Sequence, residues 1–402
     1  MRISEKKNLA LVLSGGGIKA AAYHIGVCLA LRDKGFKFAG GSPAKVASDY
    51  SDDSMTFKTY VGSSAGSVIS TFLAAGFDVD SIINAFTRGA GLGAIQRTGK
   101  HPKPSYLKAI TYKDIFALNV SSSTPSKFAR TLFKKSPVIS GGIEVLLKKG
   151  FKVNGLFSMR NVDKYMRDNV LLDNDFKSLG VKLYIIATQL NHSRKVIFGP
   201  FDKTTKDDEN MWAGFAQISS AVAASASLPP LFTPYPIINE KGEEHFFFDG
   251  EIRETLSTHV AADTGCDLVI ASYSLQPYHY NKEMGSLHEY GMPIISNQAL
   301  YLTVEQKIAS HIRHQKELKG LMNAVNGYLK ETDIAPEQRE KLLEILYERT
   351  RFKPNTDYIY IHPSPEDYRF FFADHFSLNP EILGMIVRTG FRSAMTALRG
   401  KL

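Results

Sequence analysis

Apolar positions run without interruption from Leu9 through Ala10, Leu11, Val12 and Leu13, stop at Ser14-Gly15-Gly16-Gly17, and return at helical intervals over 20–31. A short apolar run closed by glycines reads as a buried strand, and the spacing behind it as a helix, so the chain opens as strand, tight turn, helix. The same order recurs at once: 57–61 is strand-like, Gly62-Ser63-Ser64-Ala65-Gly66 is a turn, and 67–75 resumes as an apolar helix. Further strands are predicted at 183–188, 196–199, 245–248, 268–272 and 358–361, with helical stretches between several of them. This alternation predicts an α/β protein, a three-layer α/β/α arrangement with a sheet between helices. Beyond 275 the pattern changes, and helices are expected over 304–328, 336–350 and 380–398. The predicted organisation is an α/β portion over 1–275 and a mainly helical portion over 276–402 packed on it.

With 44% apolar and 22% charged residues the chain has the composition of a folded globular protein, which excludes collagen-like, low-complexity and wholly disordered classes. Its charge is uneven. Residues 88–160 hold fourteen Lys and Arg against Asp114 and Glu144, a net +12, whereas the whole chain carries +9. Glycine-, serine- and proline-rich patches in the same stretch predict an irregular basic insertion with helical pieces, placed directly after the second strand-turn-helix. Two cysteines, Cys28 and Cys266, cannot build a disulfide framework and are expected as small core residues; no closely spaced Cys/His set offers a metal site. The apolar run after the charged residues 1–7 is too short for a signal peptide, and no stretch reaches the ~18 apolar residues of a membrane span. The expected location is cytoplasmic, peripheral at membranes, and export without a cleavable signal stays compatible with the sequence.

The turn Gly62-Ser63-Ser64-Ala65-Gly66 has the Gly-x-Ser-x-Gly pattern, in which small flanking residues let a strand reverse sharply into a helix and raise a serine hydroxyl above the sheet edge. Ser64 is therefore the candidate nucleophile, with Gly62 and Gly66 shaping its elbow. A serine hydroxyl needs a base, and the tetrahedral intermediate of acyl transfer needs preorganised donors for its oxyanion. Gly15, Gly16 and Gly17 lie where backbone N–H groups can converge on one anion, and Lys19 follows as a possible support for it. For the base, seven histidines follow residue 250 (His259, His279, His288, His311, His314, His362 and His375), none in an informative motif. Asp249 closes the apolar run Phe246-Phe247-Phe248 and precedes Gly250, at a strand end where functional carboxylates of α/β sheets gather; it reads equally as an Asp-Gly turn residue. Trp212 is expected to pack near the start of the helix that leads to Ala224.

Taken in order, Gly15-Gly16-Gly17-Ile18-Lys19, Gly62-Ser63-Ser64-Ala65-Gly66, the stretch Ala224-Ser225-Ala226-Ser227-Leu228-Pro229-Pro230-Leu231-Phe232-Thr233-Pro234 and Phe248-Asp249-Gly250 resemble the patatin-like phospholipases over about residues 8–275. The resemblance implies a lipid acyl hydrolase with a Ser-Asp dyad: Ser64 would be acylated, Asp249 would be its general base, and the amides of Gly15, Gly16 and Gly17 would form the oxyanion hole. It implies no metal or other cofactor, and a phospholipid or lysophospholipid substrate. Two positions depart from the family's pattern. Glu251 stands after Asp249-Gly250 where a small residue is usual, and Ala20 stands after Lys19 where glycine is common. A second carboxylate beside the presumed base is expected to raise the pKa of one of the two by like-charge repulsion.

The cations of the insertion are interleaved with Leu107, Ile110, Tyr112, Phe116, Phe128, Leu132, Phe133 and the apolar run 145–147, which suits a lid or docking element on an anionic membrane surface. A solvated basic face is the plainer alternative. Nucleic acid is not an expected partner, because no aromatic-basic module is present. Three rival readings stay open. A Ser-His-Asp α/β-hydrolase would make one of the late histidines essential. A dinucleotide-binding oxidoreductase would use Gly15 to Ala20 as Gly-x-Gly-x-x-Ala, with Asp33 as its acidic residue. A membrane-binding protein with a silent site would use neither. Oligomeric state and any activator are left open.

Overall fold

A computed structural model of the protein describes residues 3–51, 54–87, 107–119, 154–207, 209–332 and 334–401. In chain order its strands are β1 (Leu9–Leu13), β2 (Lys37–Phe38), β3 (Thr56–Ser63), β4 (Ala117–Leu118), β5 (Phe157–Ser158), β6 (Lys182–Gln189), β7 (Arg194–Phe198), β8 (Thr205–Lys206), β9 (Asn210–Ala213), β10 (Tyr235–Ile238), β11 (Glu244–Asp249), β12 (Leu268–Ser272) and β13 (Asp357–Ile361). The helices that matter below are α1 (Gly17–Asp33), α2 (Ala65–Ala74), α3 (Ile218–Ser225), α4 (Thr258–Asp263), α5 (Met292–Glu331), α6 (Pro336–Thr350) and α7 (Pro380–Leu398).

One mixed sheet runs in the order β13-β12-β1-β3-β6-β7-β9-β8, with β2 added on β3 and the β10–β11 hairpin on β6. Its centre is parallel: β1 lies between β12 and β3, and β3 pairs β6 in the same direction. Strands covered on both faces carry few polar residues, which is why β1 is apolar throughout and β12 is apolar up to its last residue, Ser272. One apolar cluster, with α1, α2 and α3, packs on one face; a second, with α4 and the start of α5, packs on the other. The α/β/α architecture expected from the sequence is thus present, and the portion after 275 is largely helical.

That later portion also enters the sheet. β13 extends it beside β12, and α7 crosses α1 so closely that a Cβ on Gly26 would lie 2.0 Å from Val387 O, and one on Gly390 would lie 2.1 Å from Tyr23 O. Glycine at both positions lets the two backbones touch. The helix expected over 304–328 is longer, at Met292–Glu331, while α6 and α7 keep the expected bounds. Trp212 lies on β9 opposite Ile197 rather than at a helix start, because the chain forms a further strand before α3. Cys28 and Cys266 are buried thiols.

Of the basic insertion, 88–106 and 120–153 lie outside the described residues, and with them most of its cations. In the described parts Leu107 and Ile110 are buried in the core, and Phe116 stacks on Phe232 at 5.6 Å. Their packing into the core corrects the expectation that these three side chains face a membrane; Tyr112 remains exposed.

Candidate active site

Ser64 follows β3 directly, and its backbone has φ 50° and ψ −123°, a conformation that L residues rarely adopt. What forces it is the reversal from strand into α2 at short range. A Cβ on Gly66 would lie 2.1 Å from Leu13 O, and one on Gly62 would lie 2.5 Å from Ser67 Cα, so only glycine lets this elbow sit against β1 and its own helix. The Ser64 N–H donates to Ser225 Oγ at 2.8 Å, and Ser225 in turn donates to Ile186 O at 2.5 Å. The elbow is therefore pinned to β6 through one side chain of α3.

Asp249 reaches the same place by register. On one edge β6 pairs β7 over Ile185 to Gln189, so β3 and β11 must share its other edge. There Ser63 lies opposite Ile186 and Asp249 opposite Ala187, so that the end of one strand and the end of the other meet head to head. Asp249 N–H donates to Ser227 O at 3.1 Å, and Thr188 Oγ1 donates to Asp249 O at 3.1 Å. The side chain is 2% exposed and its Oδ1 accepts the Glu251 N–H at 2.9 Å. Burial pushes its pKa up to about 6, against the pull of the neighbouring Ser64 hydroxyl and the Glu251 N–H. The Ser64 hydroxyl is thus a hydrogen-bonding neighbour of this carboxyl.

The glycine loop lies alongside. Gly16 and Gly17 have φ of 132° and 71°, which suits glycine, and the turn aims the first N–H groups of α1 out of the helix end. Among the described residues the N–H groups of Gly16 and Gly17 make no hydrogen bond within the protein. Gly15 differs: its N–H donates to Glu251 Oε1 at 2.8 Å, so it is not open to an oxyanion in this structure. Ala20 sits inside α1 and needs no positive φ, so the replacement of glycine there leaves the loop's path intact.

Lys19 does not support an anion at Ser64. Its ammonium donates to Phe371 O at 3.0 Å and lies 4.5 Å from the centre of the Phe370 ring, and burial lowers its pKa to about 7. The side chain is directed into the core beneath the C-terminal portion because residues 370–376 wrap the start of α1, where Lys19 N–H also donates to His375 O at 3.1 Å.

Two histidines flank the loop, and neither bonds to Ser64 among the described contacts. His24 is shared between Ser272 Oγ and Ser14 O, each at 2.9 Å; His375 lies 2.6 Å from the Tyr301 hydroxyl and 3.3 Å from Gly16 O. Burial lowers their pKa values to about 4 and about 3, which keeps both rings neutral.

Sequence reasoning named Ser64, Asp249 and the glycine loop but missed Ser225, His24 and the C-terminal wrap. Ser225 carried a signal, since it stands in the Ala224-Ser225-Ala226-Ser227 stretch quoted above as part of the family resemblance; His24 and Phe376 carried none.

A cavity adjoins Ser64 and the loop, lined in part by Gly17, Ile18, Ala21, Val68, Phe72, Phe86, Ile110, Met159, Phe232 and Phe376. Among the described residues its wall is almost wholly apolar, and Asp114 is the one carboxylate on it. A serine at the mouth of an apolar cavity, a buried carboxylate beside it and two open amides form a set suited to acyl transfer from a hydrophobic acyl group. Among the described residues no group of His, Cys, Asp and Glu is arranged to hold a metal ion, and no helix is long and apolar enough to cross a membrane.

A search of curated proteins gives no match to this chain. Residues 11–90, which run from β1 through the glycine loop to the Ser64 elbow and the helix behind it, match the family model described as patatin-like phospholipase, a family of lipid acyl hydrolases.

Proposed function

We propose that the protein is a serine acylhydrolase that cleaves fatty-acyl esters of phospholipids or lysophospholipids with Ser64 as nucleophile and Asp249 as its base. The observation that carries this reading is the head-to-head meeting of β3 and β11 on one edge of β6, which sets Ser64 in its strained turn beside a buried carboxylate. As Ser64 Oγ bonds to the ester carbonyl carbon, its proton passes to Asp249. The carbonyl oxygen becomes an oxyanion received by the N–H groups of Gly16 and Gly17. Collapse breaks the ester C–O bond, Asp249 returns the proton to the departing alcohol, and the acyl group stays on Ser64 with its chain in the apolar cavity. Water then attacks the acyl-enzyme, giving a proton to Asp249; the second tetrahedral intermediate collapses with cleavage of the acyl C–Oγ bond, Asp249 returns that proton to Ser64 Oγ, and the fatty acid leaves.

The dyad is favoured over a Ser-His-Asp site because, among the described residues, His24 and His375, which bond to Ser14 O and Gly16 O at the loop, direct their ring nitrogens to these carbonyls and to the Ser272 and Tyr301 hydroxyls. Membrane docking through the cations of 88–160 is part of the same proposal and rests on the local net +12 alone. The test is fatty-acid release from mixed phospholipid and lysophospholipid vesicles, neutral and anionic, by the wild type, Ser64→Ala and Asp249→Ala. Loss of release in both variants, with faster release on anionic vesicles that weakens in salt, is the expected result. Release that survives Asp249→Ala would remove the dyad, and equal rates on both vesicle types would remove the docking role.

A further inference from the structure

The carboxyl of Glu251 is buried and belongs to no step of the reaction above, yet it touches both halves of the site. Its backbone N–H donates to Asp249 Oδ1 at 2.9 Å, and its Oε1 accepts the Gly15 N–H at 2.8 Å. Among the described residues the remaining oxygen, Oε2, and the Ser63 hydroxyl are buried with no hydrogen bond of standard geometry, and Ser63 is a neighbour that bears on this carboxyl's ionisation. Gly15 is wedged between Glu251 and the nucleophile: a Cβ built on it would lie 2.7 Å from Glu251 Cγ and 2.7 Å from Ser64 Cβ. Displacing Glu251 therefore displaces the loop, and displacing the loop shifts what faces Ser64.

We propose that Glu251 is a positioning residue of this site, which ties the turn carrying the base to the glycine loop and sets Gly16 and Gly17 to receive the oxyanion. This rests on the dyad reading given above. The bond to Gly15 assigns the three loop amides to different tasks: the first anchors the loop, and the next two stay open. A small residue at 251 would leave the Gly15 N–H without its buried acceptor and the loop without its tie to the Asp249 turn.

The groups that act on the Glu251 carboxyl are the Asp249 carboxyl, the Lys307 ammonium from α5, the Ser63 hydroxyl and the Gly15 N–H. Burial first, and the Asp249 charge second, push its pKa up to about 8. Glu251 is thus mostly neutral at pH 7, and above about pH 8 its ionisation places a second negative charge next to the developing oxyanion.

The experiment compares wild type, Glu251→Ala and Glu251→Gln on a soluble 4-nitrophenyl ester from pH 6 to 9.5, with Ser64→Ala as the background. Glutamine keeps an oxygen for Gly15 and loses the titration. Glu251→Ala is expected to lose about 10²-fold in kcat with KM within about threefold, the scale of a misplaced catalytic group. Glu251→Gln is expected to recover kcat to within about tenfold and to lack the decline expected of the wild type above pH 8. An alanine variant as active as the wild type, or a glutamine variant as poor as alanine, overturns the proposal. If Glu251→Ala does not fold, the glutamine profile decides: a flat alkaline side supports the role and a wild-type decline refutes it. A wild type that neither hydrolyses the ester nor reacts with a fluorophosphonate sinks the dyad reading and this role together, whereas an active wild type with an indifferent Glu251→Ala sinks this role alone.

Discussion

Acid is the perturbation whose effect follows most directly from the burial of Asp249. A base accepts the Ser64 proton only when ionised, and this carboxyl sits 2% exposed with a pKa pushed up to about 6. At pH 7.5 it is about 97% ionised and at pH 5 about 9%, so kcat/KM should fall about tenfold between the two. A solvated aspartate at the ordinary 3.8 would still be about 94% ionised at pH 5, and the rate would barely change. Unfolding through the two buried carboxyls does not confuse the test. Both have folded pKa values raised above the ordinary ones, so the folded state holds protons that the unfolded state releases. Their contribution to stability is full below about pH 4 and is lost as pH rises through about 6 and about 8; acid favours the fold as far as these groups are concerned. The assay is the pH profile of kcat/KM on a soluble ester, followed as acid release in a pH-stat, with circular dichroism at pH 5 as a control for folding. A midpoint near 4, or a flat profile down to pH 5, would refute the reasoning by showing that the base is not a desolvated carboxyl.

Two further outcomes follow from packing. Gly66→Ala places a methyl carbon 2.1 Å from Leu13 O, a backbone atom of the central strand that cannot rotate away, so it should cost at least the ~1–3 kcal/mol of an overpacked core; a melting temperature equal to the wild type would contradict the described elbow. Val68 lines the cavity one turn along α2 from Ser64, and Val68→Phe should lower kcat/KM for long-chain esters relative to butyrate about tenfold or more, the scale of one methylene of pocket space; an unchanged chain-length profile would show that the acyl chain lies elsewhere.

The parts of the site that were legible in the sequence are those made by neighbours along the chain. The elbow is written in Gly62, where a side chain would meet Ser67, and in Gly66, which the Gly-x-Ser-x-Gly spacing marks although the atom it would meet is Leu13 O of β1; the open amides are written in Gly16 and Gly17, whose positive φ is a local need. The strand at 268–272 was legible because a strand covered on both faces carries few polar residues, and that at 358–361 because buried Ile359 and Ile361 alternate with half-buried tyrosines. The hold on these parts was not legible. Ser225 supports the nucleophile from 161 residues away, Glu251 holds Gly15 across 236, and Phe371 takes the Lys19 ammonium across 352. Such pairs are decided by which strand ends share an edge and by how the C-terminal portion wraps α1, and no periodicity records either. Lys19 shows the consequence: its place after the glycines suggested an anion, and its length instead lets it reach a carbonyl in the core.

The pairing of a nucleophilic Ser64 with Asp249 is tested most directly by covalent capture. Wild type, Ser64→Ala and Asp249→Asn are treated with a fluorophosphonate at pH 7.5, and the modified peptide is located by mass spectrometry. Stoichiometric labelling on Ser64 in the wild type, none in Ser64→Ala, and labelling slowed by about 10² or more in Asp249→Asn is the predicted result. Labelling on another residue, or undiminished labelling of Ser64 in Asp249→Asn, would contradict it.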